Sequence, residues 1–152
     1  MKLTARELSF IGAALYLGEG TKERTLKRGG KIFAVEFTNK DPRAVRVFLR
    51  FLRKIIGADE TRIKAELFLY PDLDEDNLKV FWSKATEIPI NRFQKTIFLK
   101  QKTSIFKANP LGTLKIRYSH KEHFLKIKDI IDKVFGLEGS HSGLVRSVGN
   151  RV

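Results

Sequence analysis

Glu19 closes the run Ile11-Gly12-Ala13-Ala14-Leu15-Tyr16-Leu17-Gly18-Glu19-Gly20, an apolar, small-residue stretch that ends in one carboxylate. Read as a helix, the stretch stops at Gly20 and leaves an acid at its C-terminus. Unpaired carbonyls make that end of a helix partly negative, so a Glu there is electrostatically disfavoured. A cation beside it removes the conflict, and Mg²⁺ prefers carboxylate and carbonyl oxygens. Glu19 is therefore a candidate metal ligand. Ala14 and Gly18, four apart, lie on one helical face where a second helix can come close. Two copies packed along that face would bring two Glu19 side chains to one place.

A second set of residues is basic. The 152-residue chain carries 30 Lys and Arg against 17 Asp and Glu, a formal charge of +13. Such a surplus attracts polyanions, nucleic acid above all. The cations fall where strands are expected: Lys22, Arg24, Lys27, Arg28 and Lys31 on a hairpin, then Arg62 and Lys64, Lys100 and Lys102, Lys115 and Arg117. A charge run on a helix, such as Lys121, Lys126, Lys128 and Lys133, is a solvated face. A sheet with one apolar face and repeated Lys and Arg on the other is a flat cationic surface suited to DNA or RNA. An eight-residue strand spans about 27 Å. Two symmetry-related sheets of that length would cover roughly 16 base pairs of duplex. Sheets of this kind enter the major groove and read base edges, and a symmetric pair matches a near-palindromic site.

Several classes are excluded or disfavoured. With no cysteine there is neither a disulfide nor a thiolate zinc site. His120 and His123 lack an acid or thiol to complete a metal set, and Gly29-Gly30 is a turn rather than a phosphate loop, since no Lys-Ser/Thr follows. Neither a signal peptide nor a run of about 18 apolar residues is visible, so the expectation is a cytoplasmic protein with no membrane partner.

The elements that must position these residues can be read in order. Thr4-Ala5-Arg6-Glu7 is a capping box that opens a helix to Gly18, with Gly20 at the C′ position. Thr21 to Arg28 and Lys31 to Asn39 form a hairpin about Gly29-Gly30. Asp41-Pro42 starts a second helix with an apolar face of Val45, Phe48, Phe51, Leu52 and Ile55, ended by Gly57. Ile63, Ala65, Leu67 and Leu69 alternate along a strand from Arg62 to Tyr70. A short helix covers Asp74 to Thr86, with Phe81 and Trp82 as core residues. Strands follow at Thr96 to Lys102 and Gly112 to Ser119. Ser119-His120-Lys121-Glu122 reads as a second capping box, opening a helix to Gly136. The organisation is one domain over residues 1–137 and a flexible basic tail over 138–152.

Ala13-Ala14-Leu15-Tyr16-Leu17-Gly18-Glu19-Gly20 resembles the LAGLIDADG motif of homing endonucleases and related DNA-binding proteins, in its pattern of small, small, Leu, x, x, small, acid, Gly. It departs from the family's name at Leu17, which stands for an Asp, and at Gly12, which stands for the first Leu. The element order is close to the αββαββα unit of that family, with an inserted short helix. The resemblance implies an α+β fold, a curved antiparallel sheet with helices on one face, and a homodimer of the single-motif type with Ala14 and Gly18 at its interface. It also implies Mg²⁺ held by Glu19, assisted by a carbonyl such as that of Gly18, and site-specific double-strand DNA cleavage. Two carboxylates, one from each copy, would hold ions that polarise the phosphate and activate water. Lys100 is the candidate catalytic cation beside the scissile phosphate, and the remaining basic strand residues are candidate DNA contacts. Two alternatives stay open: a non-catalytic DNA-binding regulator on the same scaffold, and an RNA-binding maturase acting on intron RNA.

Overall fold

A computed structural model describes residues 2–22, 24–100 and 109–136. The first helix, α1 (Ala5–Glu19), begins as its sequence predicts. The Thr4 hydroxyl accepts from the Glu7 amide at 3.1 Å, and the Glu7 carboxylate accepts from the Thr4 amide at 2.8 Å. The reciprocal bonds satisfy two otherwise unpaired donors at the helix start. Two glycines of α1 and its end are there for space. A Cβ at Gly12 would enter the Phe51 ring, and one at Gly20 would enter the Tyr16 ring. Gly20 is extended, at φ −83°, rather than in the left-handed C′ conformation expected for it.

The predicted hairpin is present but short. β1 (Arg24–Thr25) pairs with β2 (Lys31–Ile32), and Gly29 supplies the positive φ of +92° in the turn between them. The strand expected over Lys31 to Asn39 breaks at Phe33 and resumes as β3 (Ala34–Asn39). α2 (Pro42–Phe51) is capped by Asp41, whose carboxyl is held down to about 2 by hydrogen bonds from the Arg43 side chain and amide. A π-helical turn, Leu52–Ile56, extends it to Gly57, at φ +79°. A 3₁₀ turn, Glu60–Arg62, leads into β4 (Ile63–Leu69), so Arg62 precedes the strand instead of opening it. α3 (Glu75–Thr86), β5 (Ile97–Phe98), β6 (Thr113–Ser119) and α4 (Lys121–Phe135) complete the order. The second capping box is not at Ser119, which is the last residue of β6. His120 caps α4, its ring nitrogen accepting from the His123 amide at 3.1 Å. The predicted ending of the fifth strand at Lys102, and the tail over 138–152, lie outside the described residues.

The fold is α+β with an open, mixed sheet in the order β3-β6-β4-β5. The expectation of an antiparallel sheet holds for β3 with β6 and for β6 with β4. It fails at the edge, where Phe68 and Leu69 of β4 pair in parallel with Ile97 and Phe98 of β5. The physical reason is the inserted α3, which carries the chain back before β5 begins, as parallel pairing requires a long crossover. One core cluster takes the alternating residues Val35, Phe37, Ile63, Leu67, Leu69, Leu114, Ile116 and Tyr118 from one sheet face. Leu8 and Tyr16 of α1, Phe48 and Phe51 of α2, Trp82 of α3, and Phe124 and Ile127 of α4 pack on them. Burying each such large side chain contributes about 1.5–3 kcal/mol. Trp82 also donates its indole N–H to the Leu111 carbonyl at 2.8 Å, while Phe81, expected in the core, stays exposed at the α3 surface.

Candidate functional site

The C-terminus of α1 is fastened to the sheet at one edge. Gly20 bridges to Phe37, and the Thr21 amide donates to the Glu36 carbonyl at 2.9 Å. Since β3 ends the strand order, Glu19 sits beside that edge, exposed to solvent. Tyr16 locks the corner: its ring stacks on Phe48 with centroids 5.7 Å apart, and its hydroxyl donates to the Thr21 carbonyl at 2.5 Å. The outward face of α1 is apolar. Phe10 and Leu17 are each 43% exposed, and Ile11, Ala14 and Gly18 lie on the same side, at the i, i+3/i+4, i+7 spacing of one helical stripe. Nothing lies within 4 Å of where a Cβ on Gly18 would be. The buried side of the same helix is Leu8, Gly12, Ala13 and Tyr16.

A cation does sit at this helix end, and it is Lys22. Its ammonium donates to the carbonyls of Leu17 and Gly20 at 3.0 Å each and of Tyr16 at 3.3 Å, and it lies 5.7 Å from the Tyr16 ring centroid. Lys22 was expected to contact nucleic acid; here it answers the negative end of α1. None of its three acceptors is the Gly18 carbonyl. Among the described residues no group of three His, Asp or Glu side chains is gathered to hold an ion. At the end of α1 one chain offers the Glu19 carboxylate, while the carbonyls of Tyr16, Leu17 and Gly20 accept from Lys22. That donor set fits Mg²⁺ only where a second copy adds its own.

The outer face of the sheet is less cationic than the strand sequences suggest. Cross-strand register sets Glu36, Arg117 and Lys64 in one row, and Thr38, Lys115 and Glu66 in the next. Arg117 is ion-paired with the nearly buried Glu36, and Lys115 with Glu66 at 3.2 Å. Lys64 is exposed and has no ion-pair partner among the described residues. Arg62 donates to the Ser119 carbonyl, tying the start of β4 to the end of β6. Lys27, Arg28 and Lys31 are exposed on the hairpin, beyond the edge strand β3, and Arg24 lies in β1. Lys100 follows β5, at the opposite edge from Glu19; since Gly20 bridges to the outer side of β3, the two lie four strand spacings apart, roughly 19 Å. The structure does not bring these two together within one chain. Lys102 lies outside the described residues.

Two clusters go beyond the sequence reading, which took His120 and His123 only as an incomplete metal set and did not single out the basic face of α2. At the start of α4 the His120 and His123 rings stack with centroids 3.8 Å apart, and the Tyr118 hydroxyl meets His123 Nδ1 at 2.7 Å. Partial burial, with His120 and Lys126 nearby, pushes the His123 imidazole below its ordinary range. The other cluster lies on the helical side, where Arg43, Arg46, Arg50, Arg53, Lys54 and Arg92 line a cleft of about 730 Å³. Their i, i+3, i+7 spacing along α2 was the available signal, since it sets them opposite Val45, Phe48 and Leu52.

Fold and site together define a small α+β chain with an open sheet, an exposed apolar helix face and one carboxylate at the end of that face. No protein-family model, curated protein or solved structure matches it. No helix among the described residues is long and apolar enough to cross a membrane.

Proposed function

We propose that this chain is one half of a symmetric, LAGLIDADG-type DNA endonuclease in which two copies of α1 pack together and pool their Glu19 carboxylates. The observation that carries the reading is the exposed stripe of Phe10, Ile11, Ala14, Leu17 and Gly18, which runs directly to Glu19 at the β3 edge. An apolar helix face of this kind is stabilised by burial, and a two-fold contact through it sets the two acids close to the axis. The two Glu19 carboxylates would hold Mg²⁺, which would supply the charge that polarises a phosphodiester and makes water a better nucleophile. The Gly18 carbonyl would assist Glu19 as a ligand. The sheets extend on either side of the axis, and their outer rows of Lys, Arg, Glu and Thr present donors and acceptors to base edges in the major groove. The near-palindromic duplex matches the symmetry of the pair.

The test is twofold. Sedimentation should give a dimer for the natural chain and a folded monomer for Leu17→Glu. A randomised duplex library should yield one near-palindromic cut site with Mg²⁺, lost in Glu19→Gln. A chain that stays monomeric and cuts no duplex with any divalent ion would sink the proposal.

A second reading, a non-catalytic DNA-binding protein on the same scaffold, is favoured by one observation. Lys22 already compensates the carbonyl end of α1, so the fold needs no metal at Glu19. Equal and selective binding by the natural chain and Glu19→Gln, without cutting, would select it.

A further inference from the structure

We propose that the outer face of α2 is a second nucleic-acid site, which grips the phosphodiester backbone of a segment separate from the duplex at the sheet. The inference stands apart from the nuclease reading and from Glu19. α2 buries Val45, Phe48, Leu49 and Phe51 against the core, on the helical side of the sheet. Its opposite face carries Arg43, Arg46 and Arg50, continued by Lys54 in the π-helical turn that extends it, and these line the cleft between α2 and the end of α3.

Of these, Arg43 is bonded to its cap residue Asp41 at 3.1 and 2.8 Å, whereas the other three are not consumed by the fold. Arg53 and Arg92 are: both grip Glu60, Arg53 at 2.8 and 3.0 Å and Arg92 at 3.0 Å, and Arg53 also donates to the Thr86 carbonyl at 2.8 Å. Together they hold the Glu60 carboxyl below its usual range, so of the two carboxylates lining the cleft Glu60 is already neutralised, and Glu87 at the end of α3 leaves one acid against Arg46, Arg50 and Lys54. Arg46, Arg50 and Lys54 have no ion-pair or hydrogen-bond partner among the described residues. Like charges three and four apart on a helix repel one another, so the stripe is locally unfavourable until an anion meets it.

The shape of the stripe selects the anion. From Arg43 to Lys54 it runs about 16 Å along the helix. That is far longer than one phosphate group, and it faces roughly five successive phosphates of a strand at about 3.4 Å of axis each. Guanidinium forks suit phosphate oxygens. The apolar lining is only Val47, Ala85 and the side chain of Thr86, with no ring to stack a base. The cleft therefore takes backbone rather than bases, and its binding is independent of sequence and steeply dependent on salt. With the sheet on the other side of the core, one protomer holds two segments at once.

The experiment compares the natural chain, Arg46→Glu/Arg50→Glu/Lys54→Glu, a milder version with Gln at the same three positions, and Lys64→Glu on the sheet. Melting checks that each folds. Each is titrated with a labelled random duplex and a labelled single strand over a range of salt, and is then asked to capture labelled strand onto an immobilised duplex. The α2 variants should lose capture, and the slope of log affinity against log salt should fall by roughly 2 to 3. Lys64→Glu, at the sheet's own nucleic-acid face, should weaken duplex binding there and leave the salt slope of single-strand binding unchanged. Unchanged slope and capture in both α2 variants overturns the proposal. So does competition by poly-glutamate equal to that of nucleic acid at matched charge, which would assign the stripe to an acidic protein. Loss of site-selective duplex binding in Lys64→Glu alone, with capture of non-specific strand intact, would bear on the sheet face and leave α2 standing.

Discussion

The outer face of the sheet and the outer face of α2 are both rich in basic residues, and they use them in opposite ways. On the sheet, register sets Glu36 beside Arg117 and Glu66 beside Lys115, so two of the three central cations are neutralised across strands. On α2, Arg46, Arg50 and Lys54 follow one another with no acid on the same stripe. The difference teaches that a count of Lys and Arg measures attraction to polyanions for the whole molecule, but not where the free charge lies. Pairing partners on a sheet come from distant sequence, whereas partners on a helix lie within four residues.

Substitutions on each face test the contrast. The largest effect is expected from Glu36→Gln, which leaves Arg117 without its carboxylate on a half-buried face. Stability measured by urea unfolding should fall by about 1 kcal/mol, while the salt slope of duplex binding should steepen by about one contact as Arg117 is released. A variant that binds no more tightly would mean that Arg117 cannot turn outward. Next in size, Lys22→Met should lower stability by about 0.5–1 kcal/mol through the unmet carbonyls of α1. Arg50→Gln should instead raise it by roughly 0.2–0.5 kcal/mol, because it relieves repulsion along α2. Opposite signs of melting shift for the two would separate cations the fold uses from cations it carries for a partner.

The smallest effect concerns His123. Its imidazole lies below the ordinary range in the folded chain, with Tyr118, His120, Glu122, Lys126 and Arg62 around it. The unfolded chain therefore takes up the proton first as pH falls. The contribution is fully present above the ordinary imidazole range and is lost as pH drops through it towards the folded value. The urea midpoint should decline between about pH 7.5 and about pH 5.5, with a shallower decline in His123→Gln. A natural chain whose midpoint is flat over that window would rule this out.

Much of the fold was legible because local signals agreed with the final structure. Thr4 and Glu7 marked the start of α1, Asp41-Pro42 that of α2, and the alternation of Ile63, Ala65, Leu67 and Leu69 gave β4 its inward face. What was illegible depended on contacts across long stretches of chain. Nothing near Ile97 announces that it pairs in parallel with β4, and nothing near Arg117 announces Glu36. The exposed side of α1 followed from its small residues, but Lys22 folding back onto the α1 carbonyls required a three-dimensional turn that spacing alone does not encode. The α2 stripe was within reach of helical periodicity. Periodicity alone does not distinguish it from a solvated helix face, because only the tertiary fold shows that Arg53 and Arg92 take up Glu60 and leave Arg46, Arg50 and Lys54 unpaired.

One feature of the sheet bears on how the chain is made. β6 is an inner strand of the sheet, lying between β3 and β4, yet it is the last strand in sequence among the described residues. Its Arg117 meets Glu36 across 81 positions of sequence. During synthesis β3 and β4 leave the ribosome with no strand between them, and the apolar faces of α1 and α2 wait beside them. The molecule cannot close until residue Ser119 has emerged, so folding is set by the arrival of its C-terminal third. Nascent chains halted before β6 should be held by chaperones or lost to proteases, and those halted just beyond α4 should not.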